Sequence, residues 1–211
     1  MNRRDLLKLS PLLLLLPTLT FSEEKEHSRF IDPATVGPRL DTAYAVSKLL
    51  AKRFDKIGVV FMENSQLCAV FAGALTTGLR ILGKTAWYVQ GGEKLINYLE
   101  KYKPKVLYMA YFGELPDEQV QEALNGDLKQ LAKYGKVFPL VFHISTVLRG
   151  YVNNALFEEE ILNYLKKVKD LYAMRVIEGD VALAKATEIS DLGISFGKII
   201  DKTRLIKFQE G

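Results

Sequence analysis

IGVVFMENSQ, residues 57–66, sets five strongly apolar residues and a glycine ahead of an abrupt Glu63-Asn64-Ser65, and a long apolar helical pattern follows. A short, continuous apolar run bounded by polar residues reads as a strand buried on both faces. Such a strand needs a reason to end in a carboxylate, an amide and a hydroxyl. One reason is local, because Asn or Ser ahead of an apolar helix accepts from its first free N–H groups. Capping accounts for one of the three residues. The other reason is a ligand beyond the strand end.

Working outward, Leu40, Ala43, Val46, Leu50 and Phe54 recur at helical spacing and predict an amphipathic helix that stops near Asp55. Cys68, Phe71, Ala72, Leu75 and Leu79 form the next stripe, on a helix ending near Gly83. KTAWYVQGG is a strand closed by two glycines, and EKLINYLEKYKP a short helix stopped by Pro104. KVLYMAYFGE is a third strand, and a helix is expected from Pro116 to Tyr134. KVFPLVFHIST reads as a fourth strand, which Pro139 argues should lie at an edge or carry a bulge. Strand and helix in alternation predict an α/β fold, a Rossmann-like three-layer sandwich with a mainly parallel sheet. Right-handed crossovers bring the strand C-terminal ends to one edge, where open sheets bind ligands. The residues gathered there are Glu63, Asn64, Ser65, Gln90, Gly91, Tyr111, His143 and Ser145, and these eight are the expected ligand-binding set. Tyr111 and Phe112 are expected to expose aromatic surface on that rim, as at a partner interface.

The chain's 211 residues suffice for one such domain and a short appendage. MNRRDLLKLSPLLLLLPTLTFSEEKE reads as an export signal: Arg3, Arg4 and Lys8 precede an apolar run from Leu9 to Phe21. The Arg3-Arg4 order resembles the twin-arginine type. The run is interrupted by Pro11 and Pro17 and is shorter than the ~20 residues of a spanning helix. The expected organisation is a signal over residues 1–22, a polar leader over 23–38 and one α/β domain over 39–211, placed in the periplasm. An uncleaved signal acting as a membrane tether is the alternative.

Residues 1–22 hold three of the 29 basic and one of the 25 acidic residues, which leaves the body with 26 and 24, net +2. That balance excludes nucleic acid as the main partner. Cys68 is the only cysteine, so no internal disulfide forms, and it reads as a small core residue on a helix. His27 and His143 are the only histidines, too few for a zinc site, and no metal or cofactor is expected. His143 reads as a hydrogen-bonded residue near the core edge. GLRILGKT, from Gly78 to Thr85, formally matches a phosphate loop. Its mechanism needs a strand before and a helix after, and here the order is reversed, so the match is accidental. The acids and lysines of FEEEILNYLKKVKD follow the helix dipole and read as a solvated face. No catalytic motif is present, and no catalytic residue is expected.

DKIGVVFMEN, GLRILGKTAWYV, LINYLEKYKPKVLYMAYF and LAKYGKVFPLVF follow one another in the order of a known lobe. On these stretches, residues 57–145 resemble the extracytoplasmic solute-binding proteins of ABC transporters. DVALAKATEISDLGISFGKIIDKTRLI is similar to that family's closing segment, with Ala184, Leu192, Gly193, Ile194 and Ile199 in equivalent places. The resemblance implies one Rossmann-like lobe, corresponding to the family's second, with a small-molecule solute as ligand. It also implies an ABC permease or another periplasmic protein as partner; a homodimer is the other expected assembly. Two other classes stay open: a small DsrE-like or flavodoxin-like enzyme or sulfur-relay protein, and a structural partner without ligand.

Overall fold

The computed structural model describes residues 33–205, which belong to one compact unit. The expected signal and most of the expected leader lie outside the described residues. The elements run α1 (Pro33–Ala51), β1 (Lys56–Phe61), α2 (Gln66–Ile81), β2 (Thr85–Gln90), α3 (Leu95–Tyr102), β3 (Val106–Ala110) and α4 (Asp117–Tyr134). Then follow β4 (Leu140–Phe142), the short helices α5 (Ile144–Leu148) and α6 (Tyr151–Ala155), α7 (Glu159–Lys167), β5 (Leu171–Ile177), β6 (Asp180–Lys185), β7 (Glu188–Ser190), β8 (Gly193–Ser195) and β9 (Lys198–Arg204).

Seven strands form one sheet in the order β2-β1-β3-β4-β5-β6-β9, and β7-β8 make a separate hairpin. The first five pair in parallel; β6 and β9 are antiparallel. Helices α1 and α2 pack together on one face, while α4 packs with α3 and α7 on the other. This is the expected Rossmann-like three-layer sandwich. β3 is buried at every residue and β1 at all but Lys56, as befits strands covered on both sides. The stripe on α2 is buried at each of Cys68, Phe71, Ala72, Leu75 and Leu79, and such side chains contribute about 1.5–3 kcal/mol each when large.

Two elements differ from the sequence reading. α1 starts at Pro33 and runs through Pro38, which lies inside the helix beyond its first turn and whose carbonyl accepts from Thr42 Oγ1 at 2.7 Å. β4 is three residues long and lies inside the sheet, between β3 and β5, not at an edge. Pro139 sits just ahead of the first paired residue, so its missing N–H interrupts no ladder bond, and its carbonyl accepts from Leu107 N–H at 3.0 Å. The sheet then reverses at Glu178-Gly179, whose φ values of 52° and 83° fit the two-residue hairpin joining β5 to β6. GLRILGKT is the end of α2 and the start of β2, as the rejected phosphate loop requires.

Strand order turns at β1 and β3: the chain leaves β1 towards β2 and returns past it to β3. The tips of these two strands therefore open the crevice where such sheets bind ligands.

Candidate functional site

The tip of β1 divides its three polar residues between two tasks. Ser65 is the N-cap of α2; its Oγ accepts from Cys68 N–H at 3.2 Å and donates to Glu114 at 2.9 Å. Glu114, from the loop after β3, also accepts from Gln66 N–H at 2.7 Å, so a carboxylate of the chain itself occupies the positive end of α2. Ser65 is buried, whereas Glu63 and Asn64 are exposed. Asn64 takes φ 64°, a left-handed conformation that asparagine tolerates, and this turns the chain from strand to helix. Ser65→Ala should cost about 1 kcal/mol in urea unfolding and leave any solute affinity unchanged. A loss of solute affinity with unchanged stability would reverse that assignment.

Glu63 leads to a second centre. Its carboxylate accepts from Gln90 Nε2 at 2.9 Å, which joins the tips of β1 and β2. Beside it lies Asp127, only 2% exposed and reached from three elements. Tyr111 O–H, after β3, donates to its Oδ2; Gly92 N–H, after β2, donates to its Oδ1 at 2.8 Å; Gln130 Nε2 follows at 3.3 Å. Burial pushes the Asp127 carboxyl up to about 6, the charge of Glu63 adds to this, and the Tyr111 and Gly92 hydrogen bonds hold it back. Gly91 makes the convergence sterically feasible. A Cβ there would stand 2.2 Å from Asp127 Oδ2 and 2.8 Å from the Tyr111 hydroxyl.

Beside this centre lies a cleft of about 470 Å³ between the tips of β1 and β2 and the near face of α4. Glu63, Asn64, Gly92, Glu122, Asp127 and Gln130 are among its walls. Every charged residue lining it is an acid. A larger groove of about 710 Å³ runs along another side of α4, but it is open and both of its basic residues are already paired, Arg149 with Asp117 at 2.6 Å and Lys129 with Glu158 at 2.9 Å. Among the described residues no group of three or more His, Cys, Asp or Glu is arranged to hold a metal ion.

The tips of β3 and β4 form a separate, aromatic centre. His143 caps α5, its Nδ1 accepting from Ser145 N–H at 3.1 Å. Its ring stacks on Phe112 at 4.1 Å and meets Phe71 edge-on at 4.8 Å. Burial, with the nearby Arg39 charge, pushes the imidazole down to about 3, so it is neutral. Thr146 Oγ1 donates to the Tyr111 carbonyl at 2.8 Å and ties the two tips together. Cys68 is fully buried and donates to the Phe112 carbonyl, with burial pushing its thiol up to about 11.

A family model described as "Uncharacterized protein" matches residues 35–202. The chain belongs to that family. It is 66% identical over 211 residues to an "Uncharacterized protein" of Aquifex aeolicus (strain VF5), covering all of this chain and 98% of that one. A solved structure from Rhodospirillum rubrum, provisionally assigned as a branched-chain amino acid ABC transporter, is 15% identical with a TM-score of 0.42, over 65% of this chain and 36% of that one. MppP soaked with the product 2-ketoarginine is 14% identical with a TM-score of 0.35, over 73% of this chain and 43% of that one. The chain thus spans less than half the length of either solved protein, and the fold assignment rests on the sheet topology above.

The eight expected residues therefore fall into two groups. Tyr111 and Gly91 lie against Asp127, Glu63 acts on it by its charge, Gln90 reaches only Glu63, and Asn64 lies at the cleft wall. Ser65 serves the helix cap, while His143 and Ser145 belong to the aromatic centre. The expected aromatic surface is corrected: Tyr111 is fully buried, its hydroxyl bonded to Asp127 of α4, and Phe112 is 4% exposed, packed against Phe71 of α2, Arg39 of α1 and the His143 ring. The residue that sequence reasoning missed is Asp127.

Proposed function

We propose that this protein is an extracytoplasmic binding module that holds a small solute in the cleft between the strand tips and α4. The observation that carries the reading is Asp127, a buried carboxylate with a raised pKa, placed at the C-terminal edge of an open parallel sheet and facing a cleft of solute size. Its position beside the β1–β3 turn in strand order is where such folds take ligands. The all-acidic charged lining suits a solute carrying a positive group, such as a protonated amine. The sequence resemblance of residues 57–145 to ABC transporter solute-binding proteins supports the same class and makes a permease the fitting partner. A sulfur-relay function has less support, since Cys68 is buried with its thiol pushed up to about 11, far from an activated thiolate.

A thermal-shift screen of small metabolites, weighted towards amines, tests the reading. A solute that raises the melting temperature of the parent should lose most of that shift in Glu63→Gln, since a hydrogen bond to a charged group contributes roughly 1.5–3 kcal/mol. Equal shifts in parent and mutant would remove the cleft from the proposal. The extracytoplasmic placement rests on the Arg3, Arg4 and Lys8 region and the apolar run behind it. A reporter fused after Glu23 should be recovered from the periplasm; retention of the intact fusion in the cytoplasm would overturn the placement.

A further inference from the structure

The two ends of the sheet are guarded differently. β9 carries Lys198, Asp201, Lys202 and Arg204, and α1 packs beside it with Lys52 on Asp201 at 2.9 Å. Charges of this kind blunt an edge strand. β2 closes the other end of the sheet and has no charged residue, proline or bulge. Half of its backbone is used. Thr85 N–H donates to the Asp55 carbonyl and Gly91 N–H to that of Phe61, both at 2.9 Å, so in this parallel ladder Thr85, Trp87, Val89 and Gly91 face β1. Ala86, Tyr88 and Gln90 face outward. Arg80 Nε donates to the Ala86 carbonyl at 2.9 Å. The N–H and C=O of Tyr88 and of Gln90 have no partner among the described residues. Aromatic surface flanks them on both faces of the sheet. Tyr88 is 41% exposed and leans on Phe61 at 4.1 Å, while half-buried Trp87 stacks on Tyr102 at 5.6 Å.

We propose that β2 pairs antiparallel with β2 of a second copy of this chain, about a two-fold axis at Val89, and so joins the two seven-stranded sheets. The register follows from which groups are free. With the Ala86 carbonyl taken by Arg80, the open backbone is that of Tyr88 and Gln90, and Val89 is their midpoint. Antiparallel pairing there sets Tyr88 of each copy opposite Gln90 of the other, so each free N–H meets a free carbonyl. The edge is its own complement, as a two-fold interface requires, and the pair closes with both β2 edges used. Charge selects the same occupant. This register brings the Arg80 end of one β2 alongside the Glu93 end of the other; both side chains are exposed, and neither has an oppositely charged partner among the described residues. Only the backbone of Gln90 takes part. Its side chain stays on Glu63, so the pairing is independent of the solute reading.

Sedimentation velocity of the full chain over a wide concentration range reads the pairing. The parent should form a concentration-dependent dimer, and the Tyr88 and Gln90 amides should exchange with deuterium more slowly in the dimer than in the dilute monomer. Tyr88→Pro deletes an outward N–H without touching the β1 ladder, and should raise the dimer dissociation constant at least tenfold. Glu93→Arg alters an exposed side chain and keeps the test open should Tyr88→Pro fail to fold. It should weaken the dimer by facing Arg80 with a like charge, and adding Arg80→Glu to it should restore association. A monomer at every concentration overturns the proposal, and so does a monomer whose edge amides are protected, which would mean that something other than a second copy covers β2. A dimer that Tyr88→Pro and Glu93→Arg both leave unchanged also overturns it, by assigning association to another surface.

Discussion

Gly91→Ala should lower the melting temperature by roughly 6–12 °C, from a loss of about 3 kcal/mol. The backbone is not the reason, for φ is −69° at Gly91 and any residue adopts it. The reason is space. The added methyl would stand 2.2 Å from Asp127 Oδ2 and 2.8 Å from the Tyr111 hydroxyl, and neither atom is the loose end of a flexible chain. Asp127 is held by Tyr111 and Gly92, and Tyr111 is itself fully buried on the sheet. Relief requires Asp127 to leave, which strands the Tyr111 hydroxyl and the Gly92 N–H at about 1–3 kcal/mol each. The test is a double-mutant cycle by urea unfolding. Asp127→Ala alone should be destabilising for that reason, and in its background Gly91→Ala should cost far less than in the parent. Additive losses, or a Gly91→Ala within 0.5 kcal/mol of the parent, would refute the packing of the three residues.

This centre shows where the sequence was readable and where it was not. The apolar run of β1 and the stripe of α2 are one-dimensional patterns, so both were legible, and with them the parallel core and its ligand edge. The dual use of Glu63-Asn64-Ser65 was half legible: a cap was foreseeable, but Glu114 as its second partner comes from another loop 49 residues away. Pro139 misled because a proline's position relative to the first ladder bond cannot be read from composition. Asp127 was concealed inside a helix with many charges. A signal for it existed, since Val120, Leu124, Asp127, Leu128 and Leu131 form the buried stripe of α4. An acid at a stripe position marks a buried carboxylate, and that break in pattern is more informative than the polar strand tips themselves.

Stability towards acid should be governed by two groups that pull in opposite directions. His143 is pushed down to about 3 in the folded protein, against an ordinary value of 6.5, by burial among aromatic rings and by the Arg39 charge. The unfolded chain therefore binds this proton first. The neutral ring's contribution is complete above pH 6.5 and is lost as pH falls towards 3, in total by about 5 kcal/mol. Asp127 is pushed up to about 6 from 3.8, by burial and by Glu63, so here the folded chain binds the proton first. Its ionisation penalises the folded state above pH 6, and that penalty is removed as pH falls to 3.8, a gain of about 3 kcal/mol. Between pH 6 and 4 the two contributions nearly cancel, and the parent should show little net dependence from them. His143→Phe keeps an aromatic ring against Phe112 but cannot titrate. Relative to the parent, its urea-derived stability should rise by about 3 kcal/mol between pH 6.5 and 4. Asp127→Asn should change in the opposite sense by about 3 kcal/mol between pH 6 and 4. Any fixed cost of either substitution offsets the whole curve and leaves these slopes intact. A His143→Phe curve parallel to the parent's would mean that the folded imidazole titrates normally, and the buried, neutral ring at the β4 tip would have to be abandoned.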